Sequence, residues 1–294
     1  MRMLAILAAI GVAGQSHSVA AADDPIVLPA TSPWHLSYDK QGCALVRKFG
    51  EGDQAVVVRF SKYRPGTSID AILVGTMLEP EGYSFEAGFM PGDEPYEHEH
   101  AMYGKGETGT SWQFSTGLIP HREFEDLIEA DPVDQELLAR REKERAAQVT
   151  KFAVTDGVEQ PVTLELGSMV EPMAAMDVCL DDLLESWGFD PAVQRNLRLG
   201  PEPTNKPERW IRSSDYPREA LRKGISGRVR FRIDISASGD VTACTIQSAT
   251  SDPAFEQTTC EQVMKRARFS PALDASGNAV ASYWAETVVY LNSR

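Results

Sequence analysis

Apolar and polar positions alternate most regularly toward the C-terminal end of the chain. Val229, Phe231, Ile233 and Ile235 are apolar, and Arg228, Arg230, Arg232 and Asp234 stand between them. A sustained period of two predicts a strand with one face buried. Ser238-Gly239-Asp240 predicts the tight turn after it, because glycine takes positive φ at little cost. A second strand is expected over residues 241–248. Val241 and Ile246 are an odd number of residues apart, so they share a face only if that strand carries a bulge or an early twist. Asp252-Pro253 joins a capping carboxylate to a proline at the first helical position. The helix it opens is expected to end near Arg268, before Phe269-Ser270-Pro271. A last strand over 281–291 is apolar at both sets of alternating positions. A short helix at Tyr216-Pro217-Arg218-Glu219-Ala220-Leu221, with Gly224 and Gly227 behind it, precedes the whole run.

Upstream, residues 43–49, 54–60 and 69–76 are rich in Val, Ile and Phe and read as strands. Gly50-Glu51-Gly52-Asp53 and Arg64-Pro65-Gly66 supply turns between them. The stretch 79–109 is dense in glycine, proline and charge and reads mainly as loop. Residues 111–116, 150–155 and 162–166 are further strands, and 134–147 is an exposed helix. Its Glu136/Arg140 and Arg141/Arg145 spacings give a mixed charge pattern. Ser168-Met169-Val170-Glu171 has the form of a capping box. Met169, Met173, Met176, Leu180, Leu183 and Trp187 then form one stripe at helical spacing, with Cys179 on the same side. Such a stripe is a core face. Three prolines in 200–207 mark a linker. The pattern divides the chain into a β-rich α+β domain at 23–199, a linker at 200–208 and a second α+β domain at 209–294.

Residues 1–22 have the layout of a signal peptide: Arg2, an apolar run from Met3 to Gly14, and Ala20-Ala21-Ala22 before Asp23. The run is short of the ~20 residues that span a bilayer. The expectation is cleavage, which leaves no bilayer-spanning segment and places the product in the periplasm; the rival reading is an uncleaved anchor. The net charge of −14 argues against nucleic acid as a partner. Residues 209–294 hold 12 Lys+Arg against 9 Asp+Glu, and residues 1–208 hold 17 against 34. A mildly basic unit therefore follows a strongly acidic one. Export permits disulfides. Four cysteines allow three complete pairings. Cys244 lies on a strand, and Cys260 on the helix expected to cover it. Cys43 and Cys179 fall in the N-terminal domain. Pairing within domains gives Cys43–Cys179 and Cys244–Cys260.

Catalytic signatures are absent. The chain has no CxxC, HExxH, GxSxG or P-loop. Glu97-His98-Glu99-His100 resembles a metal-ligand cluster, with His121 or Glu123 to complete it. A zinc site needs three or four protein ligands, and the simpler reading is a solvated acidic loop. No catalytic residue, metal or cofactor is assigned. Arg228, Arg230 and Arg232 offer either a site for an anionic partner or a solvent-facing surface that discourages edge pairing.

Tyr216-Pro217 with Ala220, then Gly227, Gly239 and the Arg268-Phe269-x-Pro271 block, occur in order and at spacings that resemble the C-terminal domain of TonB. TonB is the energy transducer of Gram-negative outer-membrane import. The resemblance covers about the last 80 residues and implies a helix–strand–strand–helix–strand fold around an antiparallel sheet. It implies a non-catalytic role in which the last strand accepts an extended peptide, the TonB box of an outer-membrane transporter, as an added strand. Here that strand carries Tyr283, Trp284, Glu286, Thr287, Val288, Val289 and Tyr290. Self-association is the other use the same strand allows. The chain departs from TonB in having no membrane anchor, no long proline- and lysine-rich spacer, and Ser213-Ser214-Asp215 where Gln-Pro-x precedes Tyr-Pro. The expectation is an exported, non-catalytic TonB-family interaction module tied to TonB-dependent transport. Its competitor is a periplasmic enzyme or metal-binding protein that is active in the N-terminal domain and docks through the TonB-like one.

Overall fold

The computed structural model describes residues 24–292 except 83, 93, 130–132 and 251. The expected signal peptide lies outside them. Two sheets make up the N-terminal part. Strands β1 (Ile26–Pro29), β2 (His35–Asp39), β3 (Gly42–Phe49), β4 (Val56–Lys62), β5 (Ile69–Gly75) and β6 (Glu86–Met90) come first. They are followed by β7 (Tyr96–Glu97), β8 (Met102–Gly106), β9 (Gly109–Thr116), β10 (Lys151–Asp156) and β11 (Val162–Glu165). One sheet runs β2-β3-β4-β5-β9-β8 and the other β1-β11-β10-β6-β7. Alternation places Val56, Val58 and Phe60 inward on β4. Phe60 then meets Phe89 and Phe152 of the facing sheet at ring-centroid distances of 5.2 and 5.7 Å. Both sheets share this core.

Four helices lie among the described residues of this part: α1 (His121–Ile128), α2 (Gln135–Gln148), α3 (Val170–Ser186) and α4 (Pro191–Arg195). The methionine stripe of α3 is buried, and Cys179 bonds Cys43 on β3. In the chain-entropy description a closure this long stabilises by about 5 kcal/mol. Lys62, 1 % exposed, reaches Glu142 on α2 at 2.6 Å. Burial raises the Glu142 carboxyl above its usual range, and Lys62 acts against it.

Several sequence expectations are corrected. The stretch 79–109 holds β6, β7 and β8. Gly88 breaks the apolar pattern of β6, but pairing of Phe89 with Phe152 makes it a strand. β1 is too short to read from pattern alone and forms by parallel pairing of Ile26 with Val162. The capping box does not form. Met169 is the N-cap and Ser168 lies outside the helix, its Oγ accepting only the Val170 N–H at 3.4 Å.

The C-terminal part holds α5 (Arg218–Lys223), β13 (Gly227–Ile235), β14 (Val241–Thr250), α6 (Pro253–Arg266) and β18 (Ser282–Tyr290). The two-residue strand β12 (Glu202–Pro203) precedes α5, and three more, β15 (Phe269–Ser270), β16 (Ala272–Leu273) and β17 (Ala279–Val280), lie between α6 and β18. The main sheet has the order β14-β13-β18 and is antiparallel throughout. The expected bulge is present: pairing with β13 shifts register between Arg230 and Phe231 and again between Asp234 and Ile235. Ile246 and Val241 thereby face the same core. Asp252 caps α6 through the Ala254 N–H, and Cys260 on α6 bonds Cys244 on β14. Closing this short loop stabilises by about 3 kcal/mol.

Residues 200–207 do not run free. β12 pairs with β15, and the Thr204 N–H donates to the Arg268 carbonyl at 2.8 Å. A proline removes only its own donor, so the neighbouring groups stay available for pairing. The two parts also pack face to face. The outer surface of the six-stranded sheet carries Asp70, and β13 sets Arg228 and Arg230 against it. The layers are therefore five strands, six strands, three strands and then α6.

Candidate strand-docking edge

β18 pairs with β13 and has no other strand beside it among the described residues. Its register runs from Ser282 opposite Ile235 to Tyr290 opposite Gly227. Along an antiparallel strand the N–H and C=O of one residue point the same way, and successive residues alternate. Two contacts identify the outward set. The Thr287 N–H donates to Glu286 Oε1 at 2.9 Å, and the Ala281 carbonyl accepts from Gln194 Nε2 at 3.0 Å. Tyr283, Ala285, Thr287 and Val289 thus turn their backbone groups away from β13.

The side chains alternate likewise. Trp284, Val288 and Tyr290 face α6. Trp284 meets Phe269 with centroids 5.6 Å apart, and Tyr290 meets Phe255 at 4.5 Å while its hydroxyl pairs with Thr259 Oγ1 at 2.9 Å. Tyr283 faces the N-terminal part and packs on Trp187 and Phe189 at 5.6 and 5.5 Å. Burial pushes its phenol up to about 12. Glu286 is exposed. The Thr287 hydroxyl is buried without a partner among the described residues.

A groove of about 300 Å³ opens beside this edge. Pro207, Trp210, Ile211, Phe231, Val263 and Val288 line it, with Glu208, Glu286 and Thr287. A wider cleft of about 500 Å³ shares Trp210 with it and has Lys206, Arg209, Arg212, Lys265, Arg266 and Arg268 around it. Arg266 is paired with Asp215 and holds that carboxyl below its usual range.

The arginines of β13 are not solvent-facing, which corrects the sequence expectation. Arg228 Nη2 lies 3.2 Å from Asp70 Oδ1 and donates to Ser115 Oγ at 2.9 Å, and Arg230 Nη2 lies 2.6 Å from Asp70 Oδ2. Burial lowers the Arg228 guanidinium from its ordinary value, and Asp70 opposes that shift. Arg232 stacks over Trp187 with Cζ 3.8 Å from the ring centroid and donates to Asp234. The alternation correctly placed these residues opposite the α6 core, but a second sheet lies where solvent was expected.

The residues considered as metal ligands do not converge. His98 is 8 % exposed, and its Nε2 lies 3.1 Å from the Ala87 carbonyl. Burial lowers its pKa to about 4, so it is neutral at neutral pH. His121 instead stacks on Tyr96, and Glu123 pairs with Arg141. Among the described residues no three His, Cys, Asp or Glu side chains gather as ligands. None of the described helices is long and apolar enough to cross a membrane.

Gln194, Trp187 and Phe189 border the strand although nothing in the sequence tied them to it. Trp187 was legible as a core residue of α3, but the element it would meet was not. Trp210 was equally unmarked, since it follows a prolyl turn outside the alternating strands.

The remaining marked residues hold the module together. The Tyr216 hydroxyl donates to the Ile225 carbonyl at 2.6 Å, and its ring stands edge-on to Phe255 and Tyr290. Pro217 precedes α5, and Gly227 opens β13 opposite Tyr290. Gly239 has φ 88°, and a Cβ there would collide with the Phe269 carbonyl oxygen and press on Pro271. The hairpin glycine and the Phe269-x-Pro271 block are thus two sides of one contact.

No curated protein matches the chain. Residues 212–290 match the family described as Gram-negative bacterial TonB protein C-terminal. This span runs from before α5 to the end of β18, so the chain carries, after a larger α+β part, a C-terminal domain that matches the TonB C-terminal family.

Proposed function

We propose that this protein is an exported, non-catalytic docking module of the periplasm. Its domains are an acidic α+β domain over 23–199 and the TonB-like domain over 209–294. The TonB-like domain accepts an extended segment of an outer-membrane TonB-dependent transporter, its TonB box, along β18. The site comprises Tyr283, Trp284, Glu286, Thr287, Val288, Val289 and Tyr290, of which Tyr283, Thr287 and Val289 turn their backbone groups outward to the partner. The observation that carries this reading is the free edge of β18, which turns alternate N–H and C=O groups away from β13 beside an apolar groove. Main-chain hydrogen bonds supply affinity in such an arrangement, and a side chain in the groove tunes it. Trp284, Val288 and Tyr290 act from within the core, since they hold the edge in place and face α6.

β18 is apolar at both sets of alternating positions, and one set faces α6. Tyr283 against Trp187 and Phe189 closes the other face, so docking uses the edge and not a face. The same packing ties the docking strand to the N-terminal domain. The test is calorimetric titration of TonB-box peptides, and of solubilised transporters from the same envelope, against the full chain. Saturable binding in at least one transporter is expected, and its absence in all of them overturns the reading. Mass analysis of the protein from the cell envelope tests export, with a mature start near Asp23 expected and an intact Met1 in the membrane fraction as the contrary result.

A further inference from the structure

The groove beside β18 carries a charge pattern that strand addition alone does not require. Its lining is apolar except at Glu208, Glu286 and Thr287, and both charged residues are acidic. Glu208 is exposed, with Lys206 at 3.9 Å as a loose partner. Glu286 has a single partner among the described residues, the N–H of Thr287. That N–H is one of the outward set that an added strand must bond. An incoming carbonyl therefore displaces the Glu286 carboxylate. The freed carboxylate then stands at the rim of the groove, where side chains of the incoming strand arrive. At the other end of β18, Gln194 holds the Ala281 carbonyl and accepts the Ser282 hydroxyl at 2.7 Å. The added strand is thus kept to the part of the edge beside the groove.

We infer that the groove selects a short extended segment bearing one apolar side chain flanked by lysine or arginine. This rests on the edge-docking reading and names the chemistry of the partner at that site. The apolar side chain fills the space between Trp210 and Val288, and the cation meets Glu286 and Glu208. The neighbouring basic cleft, which shares Trp210 with the groove, repels the same cation. The two fields together favour one direction of docking.

The experiment uses the full chain and three fluorescent heptapeptides. All three share a threonine-rich, strand-forming host and a central leucine, and differ only in flanks of lysine, serine or glutamate. The lysine peptide is expected to bind about five- to tenfold more tightly than the serine one, and the glutamate peptide more weakly, as rim charges act. Glu286→Gln should level the three, and Glu286→Lys should reverse their order. Replacing the central leucine with serine should abolish binding. Glu286 is exposed, so both variants are expected to keep the wild-type circular dichroism and melting temperature. Equal affinity for the three peptides, or a lysine preference that survives Glu286→Lys combined with Glu208→Lys, overturns the inference. If transporter peptides bind without any flank preference, the inference fails and the docking reading stands. If the lysine peptide binds and no transporter segment does, the inference stands and the transporter assignment fails. No binding of any peptide overturns both.

Discussion

The two faces of the β14-β13-β18 sheet are both buried, by different physics. Toward α6, Val229, Phe231, Ile233 and Ile235 are 0–1 % exposed and pack on Phe255, Val263 and Phe269. Toward the N-terminal part, Arg228 and Arg230 share Asp70, and Arg232 lies on Trp187. The first face gains from burying apolar surface and needs no particular direction of approach. The second face loses hydration on three guanidinium groups and regains it only if the partners stand in place. The apolar face therefore stabilises the module, and the arginine face sets how it sits on its neighbour.

Substitutions on each face separate these roles. Phe231→Ala should have the largest effect, a loss of about 4 kcal/mol in unfolding free energy, seen as a lower urea midpoint. Asp70→Ala comes next. It leaves Arg228 and Arg230 buried without their carboxylate and should cost about 3 kcal/mol. Hydrogen exchange should then rise in β5 and β13 while α6 stays protected. Exchange rising equally in α6 would mean that the two faces are not separable.

Acid sharpens the comparison through a buried group away from the arginine face. That group is His98. Its pKa of about 4 in the folded chain lies below the unfolded value of 6.5. The unfolded chain thus binds the proton first, and stability falls as pH drops from about 6.5 toward 4, by roughly 3 kcal/mol. His98→Phe should flatten the urea midpoint across that window, and an unchanged slope would return the effect to other groups. The smallest effect belongs to Arg232→Lys, which loses the planar stack on Trp187 and should cost about 1 kcal/mol, read as a small shift in melting temperature.

The C-terminal module was legible because its signals are local. Alternation through Val229–Ile235 marked β13, Asp252-Pro253 marked the start of α6, and the odd spacing of Val241 and Ile246 called for the bulge that appears. Both disulfides followed from placing each cysteine on its element. What was hidden depends on contacts distant in sequence. Alternation showed that Arg228, Arg230 and Arg232 share a face, but not that Asp70, more than 150 residues earlier, would cover it. β6 was hidden by Gly88, and β1 needed β11 to exist. Of the proposed docking edge, the strand itself was readable. Its limits were not, because Gln194, Trp187 and Trp210 come from segments with no periodic tie to β18.

The central claim is that β18 receives a partner through its outward backbone groups. A pair of proline variants tests it most directly, with transporter TonB-box peptides as the probe. The Thr287 N–H points away from β13 and leaves the ladder intact when removed, whereas the Val288 N–H points toward β13. Thr287→Pro should therefore keep the wild-type circular dichroism and lose peptide binding, and Val288→Pro should unfold the C-terminal sheet. A folded Thr287→Pro protein that binds the peptides as tightly as the wild type would contradict the account.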